Sequence, residues 1–223
     1  FYSAALEQLE RQGLLYPCFC TRGQLHAPSA PHRSDGEVIY PGTCRDLSPE
    51  ERAVRAQARH PAVRIRVPDA EIGFVDQLQG AYSENLARDC GDFILRRSDG
   101  VYAYQLAVVV DDALMGVTEV TRGSDLLTST PRQIYLQHLL GFDTPDYCHV
   151  PLLCAPDGRR LSKRESDLTL QFLREHGVRP EEIVGRLAHA AGLIDRPEPV
   201  PARELVPLFD VHKLPKDDIP FKW

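Results

Sequence analysis

The chain has no run of about 18 apolar residues, so no membrane-spanning helix is expected. Its start, Phe1-Tyr2-Ser3-Ala4-Ala5-Leu6, has neither the charged n-region nor the apolar h-region of a signal peptide. It also lacks an initiator Met and reads as the middle of a helix, so the chain is expected to begin inside a fold. Positive charge is in deficit: 26 Lys and Arg stand against 32 Asp and Glu, a net charge of -6. That argues against a sequence-independent phosphate binder, whose affinity rests on many cationic contacts. A nucleic-acid enzyme with a local basic patch stays compatible. No internal repeat or low-complexity tract is present.

What is present suits an ordinary globular protein. Of 223 residues, 43% are hydrophobic and 26% charged. The six cysteines are Cys18, Cys20, Cys44, Cys90, Cys148 and Cys154. Without a secretory signal, a disulfide framework is not expected. A metal site plus isolated buried thiols fits better.

Helices are expected over Ala4 to Gln12, from Pro49 to near His60, Leu106 to Met115, Thr130 to Leu140, Leu168 to His176 and Pro180 to Ala191. Ser48-Pro49-Glu50-Glu51 reads as a capping box, and Thr130-Pro131-Arg132-Gln133 repeats that pattern. Strands are expected at Ala62 to Val67, Ile72 to Val75, Phe93 to Arg96, Val101 to Tyr104, Val117 to Thr121 and Cys148 to Leu153. Ser98-Asp99-Gly100 supplies a hairpin turn. Pro197, Pro199 and Pro201 mark a linker. Strands alternating with helices indicate α/β architecture, with a small helical appendage at the end.

Three constellations carry chemistry. In the first, Cys18-Phe19-Cys20 and the later Cys44 offer three thiolates to one ion. Zinc takes about four ligands in a tetrahedron, leaving one place for Tyr40, His26, His32 or water. The surrounding segment, Tyr16 to Asp46, is rich in Pro and Gly and needs a staple. In the second, Gly158-Arg159-Arg160-Leu161-Ser162-Lys163-Arg164 is a glycine-led basic loop, where a Lys can meet the charge growing on a leaving pyrophosphate. A solvated basic turn is the more ordinary reading of such a cluster. In the third, Arg122 precedes Gly123 at a strand end, where ligands gather in α/β sheets, and a guanidinium there can grip a carboxylate. Tyr104 can support an amino group nearby. Spacing alone favours a surface Arg and a core Tyr. Asp111 and Asp112, adjacent on a helix, do not share a face and make a poor acid/base pair. Arg52, Arg55 and Arg59 fall at helical spacing and suggest an RNA-backbone contact, with a solvated face at least as good a reading.

Ordered motifs then change those odds. Asp99-Gly100 with Tyr104, Val108-Val109-Val110-Asp111-Asp112, Arg122-Gly123 with Asp125-Leu126, Thr130 to Gln133, and Leu161-Ser162-Lys163 together resemble the second half of the class I glutamyl-tRNA synthetase catalytic domain. Leu161-Ser162-Lys163 corresponds to the Lys-Met-Ser-Lys-Ser loop, with Arg160, Leu161 and Arg164 as departures. The upstream Cys-x-Cys and Tyr40 to Arg45 elements extend the resemblance to nearly the whole chain. Arg122-Gly123-Ser124-Asp125-Leu126-Leu127 and Tyr104-Gln105-Leu106-Ala107 are similar to the glutamyl-queuosine branch. Only about 60 residues follow Lys163, too few for an anticodon-binding domain.

The resemblance implies a Rossmann-like catalytic fold with a zinc-bearing insertion and a small C-terminal helical subdomain. Its expected division is 1–16 (catalytic-domain helix), 17–92 (zinc-binding and connective insertion), 93–155 (second catalytic half) and 156–223 (basic loop and helical stem-contact region). It implies ATP-dependent activation of glutamate and transfer to queuosine at the wobble position of tRNA(Asp). Tyr104 and Arg122 would bind glutamate, and Lys163 would bind ATP, with Mg²⁺, as the catalytic lysine. Cys18, Cys20, Tyr40 and Cys44 would hold zinc. A monomeric, cytoplasmic ligase is implied. A truncated synthetase charging tRNA(Glu), or a zinc-stapled binding module without catalysis, are the alternatives. In that superfamily glutamyl synthetases generally need tRNA before they activate glutamate. The family's His-Ile-Gly-His-like motif is missing from this sequence, so the chain as given is expected to be inactive.

Overall fold

The structure, a computed structural model, describes residues 1–25, 38–159 and 169–221. The chain divides into two compact units. The first comprises Phe1–Phe74, Ala81–Thr118 and Thr128–Pro145, the second Val75–Gly80, Glu119–Leu127 and Asp146–Trp223.

The first unit is built on helix α1 (Tyr2–Arg11) and a three-stranded antiparallel sheet. Its strands are β1 (Leu15–Cys18), β2 (Ala62–Ile65) and, later in the chain, Ile94–Arg96, with β2 central. Leu15 pairs with Ile65 and Cys18 with Ala62. After the short α2 (Arg22–Leu25), α3 (Pro49–Ala58) opens on the expected capping box. The Ser48 hydroxyl accepts from the Glu51 amide at 3.2 Å, and the Glu51 carboxylate accepts from the Ser48 amide at 2.8 Å. The helix stops before Pro61, so Arg59 is extended backbone beyond it. Arg59 therefore falls outside the helical spacing that grouped it with Arg52 and Arg55.

A hairpin of β3 (Glu71–Asp76) and β4 (Gly80–Asn85) follows, its tip counted with the second unit. One turn of helix, α4 (Leu86–Asp89), leads to the third strand of the first sheet, β5 (Ile94–Arg96). The expected strand at Val101 to Tyr104 reduces to one bridge between Arg96 and Tyr102. Tyr104 instead opens α5 (Tyr104–Met115), because Leu106, Val109 and Val110 recur with helical period and bury one face. The Ser98-Asp99-Gly100 turn forms, the Gly100 amide donating to the Arg97 carbonyl at 3.0 Å.

The chain then runs through β6 (Glu119–Gly123), a 3₁₀ segment over Ser124–Ser129, α6 (Thr130–Leu140) and β7 (Asp146–Val150). Strands β6 and β7 are parallel, with Arg122 opposite His149. A parallel pair joined through a helix is the βαβ crossover of α/β folds. Thr130 is the first residue of α6, so the cap position falls on Ser129 and not on Thr130 as the second pattern expects. Ser129 takes helical angles and makes no side-chain cap, since the 3₁₀ segment runs straight into α6. Helices α1, α5 and α6 pack together over a core containing Leu9, Leu95, Leu106 and Leu136, all fully buried. Two of the motif blocks meet here: Gln133 donates to Gln105 at 2.9 Å, and Gln105 donates to Ser129 at 3.1 Å.

In the second unit β8 (Leu153–Cys154), α7 (Leu170–Glu175), α8 (Pro180–Ala190), α9 (Ala202–Leu205) and β9 (Ile219–Pro220) complete the chain. The proline-rich stretch between α8 and α9 is a connection, as expected. Among the described residues no helix is long and apolar enough to cross a membrane.

The core and the cap differ in energetic weight. Leu95→Ala is expected to cost about 2–5 kcal/mol of stability, and Ser48→Ala about 1 kcal/mol. Urea denaturation midpoints measure both, and equal losses would contradict this packing.

Candidate active site and metal centre

The first site gathers four side chains from two segments of the first unit. Strand β1 delivers Cys18 and leads into Cys20, and the turn after Tyr40 delivers Cys44. The three thiol sulfurs lie within 4.8 Å of one another. Cys20 and Cys44 are 3.7 Å apart. The Tyr40 phenol oxygen is 3.5 Å from the Cys18 sulfur and 4.0 Å from that of Cys20. A tetrahedral ion at zinc-like bond lengths separates two sulfurs by about 3.8 Å, and a sulfur from an oxygen by about 3.5 Å. The four donors therefore fit one tetrahedral cation. Backbone amides orient them: that of Phe19 donates to the Cys44 sulfur at 3.4 Å, and that of Cys44 to the Tyr40 phenol at 2.9 Å. His26 and His32, the other possible fourth ligands, lie outside the described residues.

The electrostatics suit anionic sulfur. Burial raises the Cys18 thiol, but the Tyr40 hydrogen bond and the Arg64 guanidinium outweigh it and hold it below its ordinary value. Burial, then its Cys18 and Cys44 neighbours, push Cys20 up to about 11. Cys18 and Cys20 are thus shifted in opposite directions, and a bound cation would favour the anionic form of both. Arg64, almost fully buried, lies 3.7 Å over the Tyr40 ring. Its far end donates to the Asp92 carbonyl at 2.5 Å, while the Asp92 carboxylate accepts from Tyr16 at 2.6 Å and from the Val67 amide at 2.8 Å. Gly91 holds Tyr40 closely: at φ 68° it packs so that a Cβ would collide with the Tyr40 carbonyl oxygen. Arg64, Asp92 and Gly91 were not anticipated from sequence, since nothing in their spacing ties them to the cysteines.

The second site lies in the second unit, at the end of β6. Arg122 is half-buried, and its Nε donates to His149 Nε2 at 3.0 Å. On its other side His149 Nδ1 meets the Asp76 carboxylate at 2.6 Å. An arginine only donates, so Nε2 must be the acceptor and Nδ1 must carry the proton. Asp76 is itself fixed by the amides of Leu78, Gln79 and His149, at 3.0, 2.9 and 3.0 Å. The Arg122 guanidinium also sits 5.4 Å from the Tyr147 ring centroid. Glycine is required at 123, where a Cβ would sit 2.6 Å from an Asp125 carboxylate oxygen and 2.7 Å from Leu152. Asp76 and His149 were missed in the sequence. A lone His and a lone Asp 73 positions apart carry no local signal.

Tyr104 opens α5 in the first unit and is half exposed. Asp111 accepts from the Tyr2 phenol at 2.7 Å, a structural contact. Lys163 lies outside the described residues, as do Arg160, Leu161, Ser162 and Arg164 of the expected basic loop.

A family model described as tRNA synthetases class I (E and Q), catalytic domain, matches residues 1–195. The chain belongs to this class I synthetase family. Among curated relatives, it is 51% identical to a glutamyl-Q tRNA(Asp) synthetase of Symbiobacterium thermophilum over 98% of this chain and 68% of the relative. It is 54% identical to that of Thiobacillus denitrificans over 73% of this chain and 52% of the relative. Against that of Nocardia farcinica the figures are 47%, 97% and 67%. A glutamate tRNA ligase of Elizabethkingia meningosepticum, solved with its amino acid, superposes with a TM-score of 0.76 at 26% identity, over 99% of this chain and 50% of that one. The glutamate-tRNA synthetase of Elizabethkingia anophelis gives 0.77 at 25%, with the same coverage. The chain thus spans half the length of these two solved synthetases.

Two predictions follow from the sites' chemistry. Protein purified without chelator should carry about one tetrahedral metal ion per chain by elemental analysis, lost on Cys20→Ser and diminished on Gly91→Ala. Fully folded, metal-free protein would refute the centre. Burial, with Arg122 adding to it and Asp76 opposing, holds His149 below the ordinary histidine value of 6.5. Burial raises Asp76, but bonds from the Gln79 amide, the His149 ring and the His149 and Leu78 amides outweigh it and hold it below 3.8. Both contributions are present at neutral pH. That of His149 should be lost as pH falls from 6.5 through its folded pKa, that of Asp76 below 3.8. Thermal midpoints that rise on acidification across that first window would contradict the assignment.

Proposed function

We propose that the protein activates glutamate with ATP and transfers it to queuosine at the wobble position of tRNA(Asp). The observation that carries this reading is Arg122, held at the end of a parallel strand beside an α/β crossover. A guanidinium there meets a carboxylate with two parallel hydrogen bonds. The names of the curated relatives support the choice of acceptor.

In the first step, a carboxylate oxygen of glutamate attacks the α-phosphorus of ATP. The bond to the bridging oxygen breaks, leaving glutamyl-adenylate and pyrophosphate. Arg122 grips the amino acid's other carboxylate, Tyr104 supports its amino group, and Lys163 neutralises charge on the phosphates together with Mg²⁺. In the second step a hydroxyl of the queuosine ring attacks the activated carbonyl, AMP leaves and the hydroxyl proton is released. Catalysis here is largely positioning. Cys18, Cys20, Cys44 and Tyr40 hold a structural Zn²⁺ that fixes the loop-rich insertion. As a consumer of ATP and tRNA, the protein works in the cytoplasm, as a monomer.

The solved glutamate-tRNA ligases favour one second reading, charging of tRNA(Glu). ATP–pyrophosphate exchange on the full-length protein separates the two. Glutamate-dependent exchange without tRNA is expected. Arg122→Ala should lower it roughly 100-fold, the equivalent of about 3 kcal/mol. Exchange that requires tRNA favours the second reading, and no exchange with glutamate under either condition defeats both.

A further inference from the structure

The buried pair behind Arg122 has a feature that simple packing does not require. His149 and Asp76 side chains are both fully enclosed. Asp76 accepts a hydrogen bond from Nδ1, and so leaves His149 Nε2 as the acceptor for Arg122 Nε. Strands β6 and β7 place the two residues opposite each other in register, so the contact is set by the backbone. A carboxylate at 149 would also orient the guanidinium, but it would form an ion pair and compete with an anionic ligand. A neutral imidazole orients the group without cancelling its charge. The carboxylate that fixes the tautomer stands one ring further away.

We propose that Asp76 and His149 are positioning residues for glutamate activation: they lock the guanidinium plane of Arg122 so that it meets the substrate carboxylate. This rests on the reading of Arg122 as the glutamate grip. The groups facing His149 include Asp76 on the β3–β4 tip, Arg122 on β6, the Leu126 backbone and the Tyr147 ring, stacked 6.1 Å away on its own strand. Protonating Nε2 replaces an acceptor by a donor in front of a cation, so the lock opens in acid. A purely structural pair has no such effect on substrate affinity.

The test uses the full-length protein in glutamate-dependent ATP–pyrophosphate exchange. His149→Leu removes the acceptor and should raise the KM for glutamate about 10- to 100-fold, the range for loss of a charge-assisted hydrogen bond. The KM for ATP should move less than about two-fold, since Arg122 serves the amino acid. His149→Gln, which keeps a neutral acceptor, should restore glutamate KM to within about five-fold and abolish its rise in acid. Asp76→Asn frees the ring to adopt the other tautomer and should resemble the Leu variant. Adding it to His149→Gln should cost little more, because an amide needs no tautomer to be fixed. Should His149→Leu fail to fold by circular dichroism, Asp76→Asn and His149→Gln carry the test. Wild-type protein without glutamate-dependent exchange defeats the underlying reading. Wild-type exchange with an unchanged glutamate KM in Asp76→Asn, or an acid limb that persists in His149→Gln, overturns the positioning proposal alone.

Discussion

One buried carboxylate sets the chemistry of the second unit. Asp76 cannot be left unpartnered in a dry interior, and three backbone amides and an imidazole satisfy it. Because the neutral imidazole turns its one N–H, at Nδ1, toward Asp76, its other nitrogen is the acceptor for Arg122. That single consequence fixes the tautomer of His149 and, through it, the orientation of Arg122. The hairpin tip that carries Asp76 is therefore part of the candidate site, although it lies far from Arg122 in sequence.

The first unit solves a different problem. Among the described residues around the thiols, Tyr16, Phe19, Tyr40 and Leu47 form a small buried cluster. So small a cluster supports little structure alone, and four donors at tetrahedral spacing supply the missing constraint. Three thiolates around a divalent ion leave excess negative charge. Arg64, packed on the Tyr40 ring and close enough to lower the Cys18 thiol, is placed to offset it. Hydrogen bonds from outside the ring of donors orient them here, as the His149 contact orients Arg122.

Much of the fold was legible because its elements announce themselves locally. The capping box at Ser48 forms as read, and glycines close α5 and α6 in left-handed conformations at Gly116 and Gly141. Strand β4 was missed because Gly80-Ala81-Tyr82-Ser83-Glu84-Asn85 is polar; it holds together by pairing with β3, not by its own pattern. Thr130 looked like a cap only because a preceding 3₁₀ segment has no sequence signature. The cysteine cluster was legible as a set of ligands, since Cys-x-Cys is a local signal. Asp76, His149, Arg64 and Asp92 were not, because their meaning comes from tertiary contacts between single residues.

What Arg122 touches when substrate is present decides its role. A crystal structure of the full-length protein with bound glutamate measures this directly. The expected result is a glutamate carboxylate within hydrogen-bonding distance of the Arg122 guanidinium, with His149 still accepting from its Nε. Glutamate bound elsewhere, with Arg122 making no contact to it, would contradict that role for Arg122.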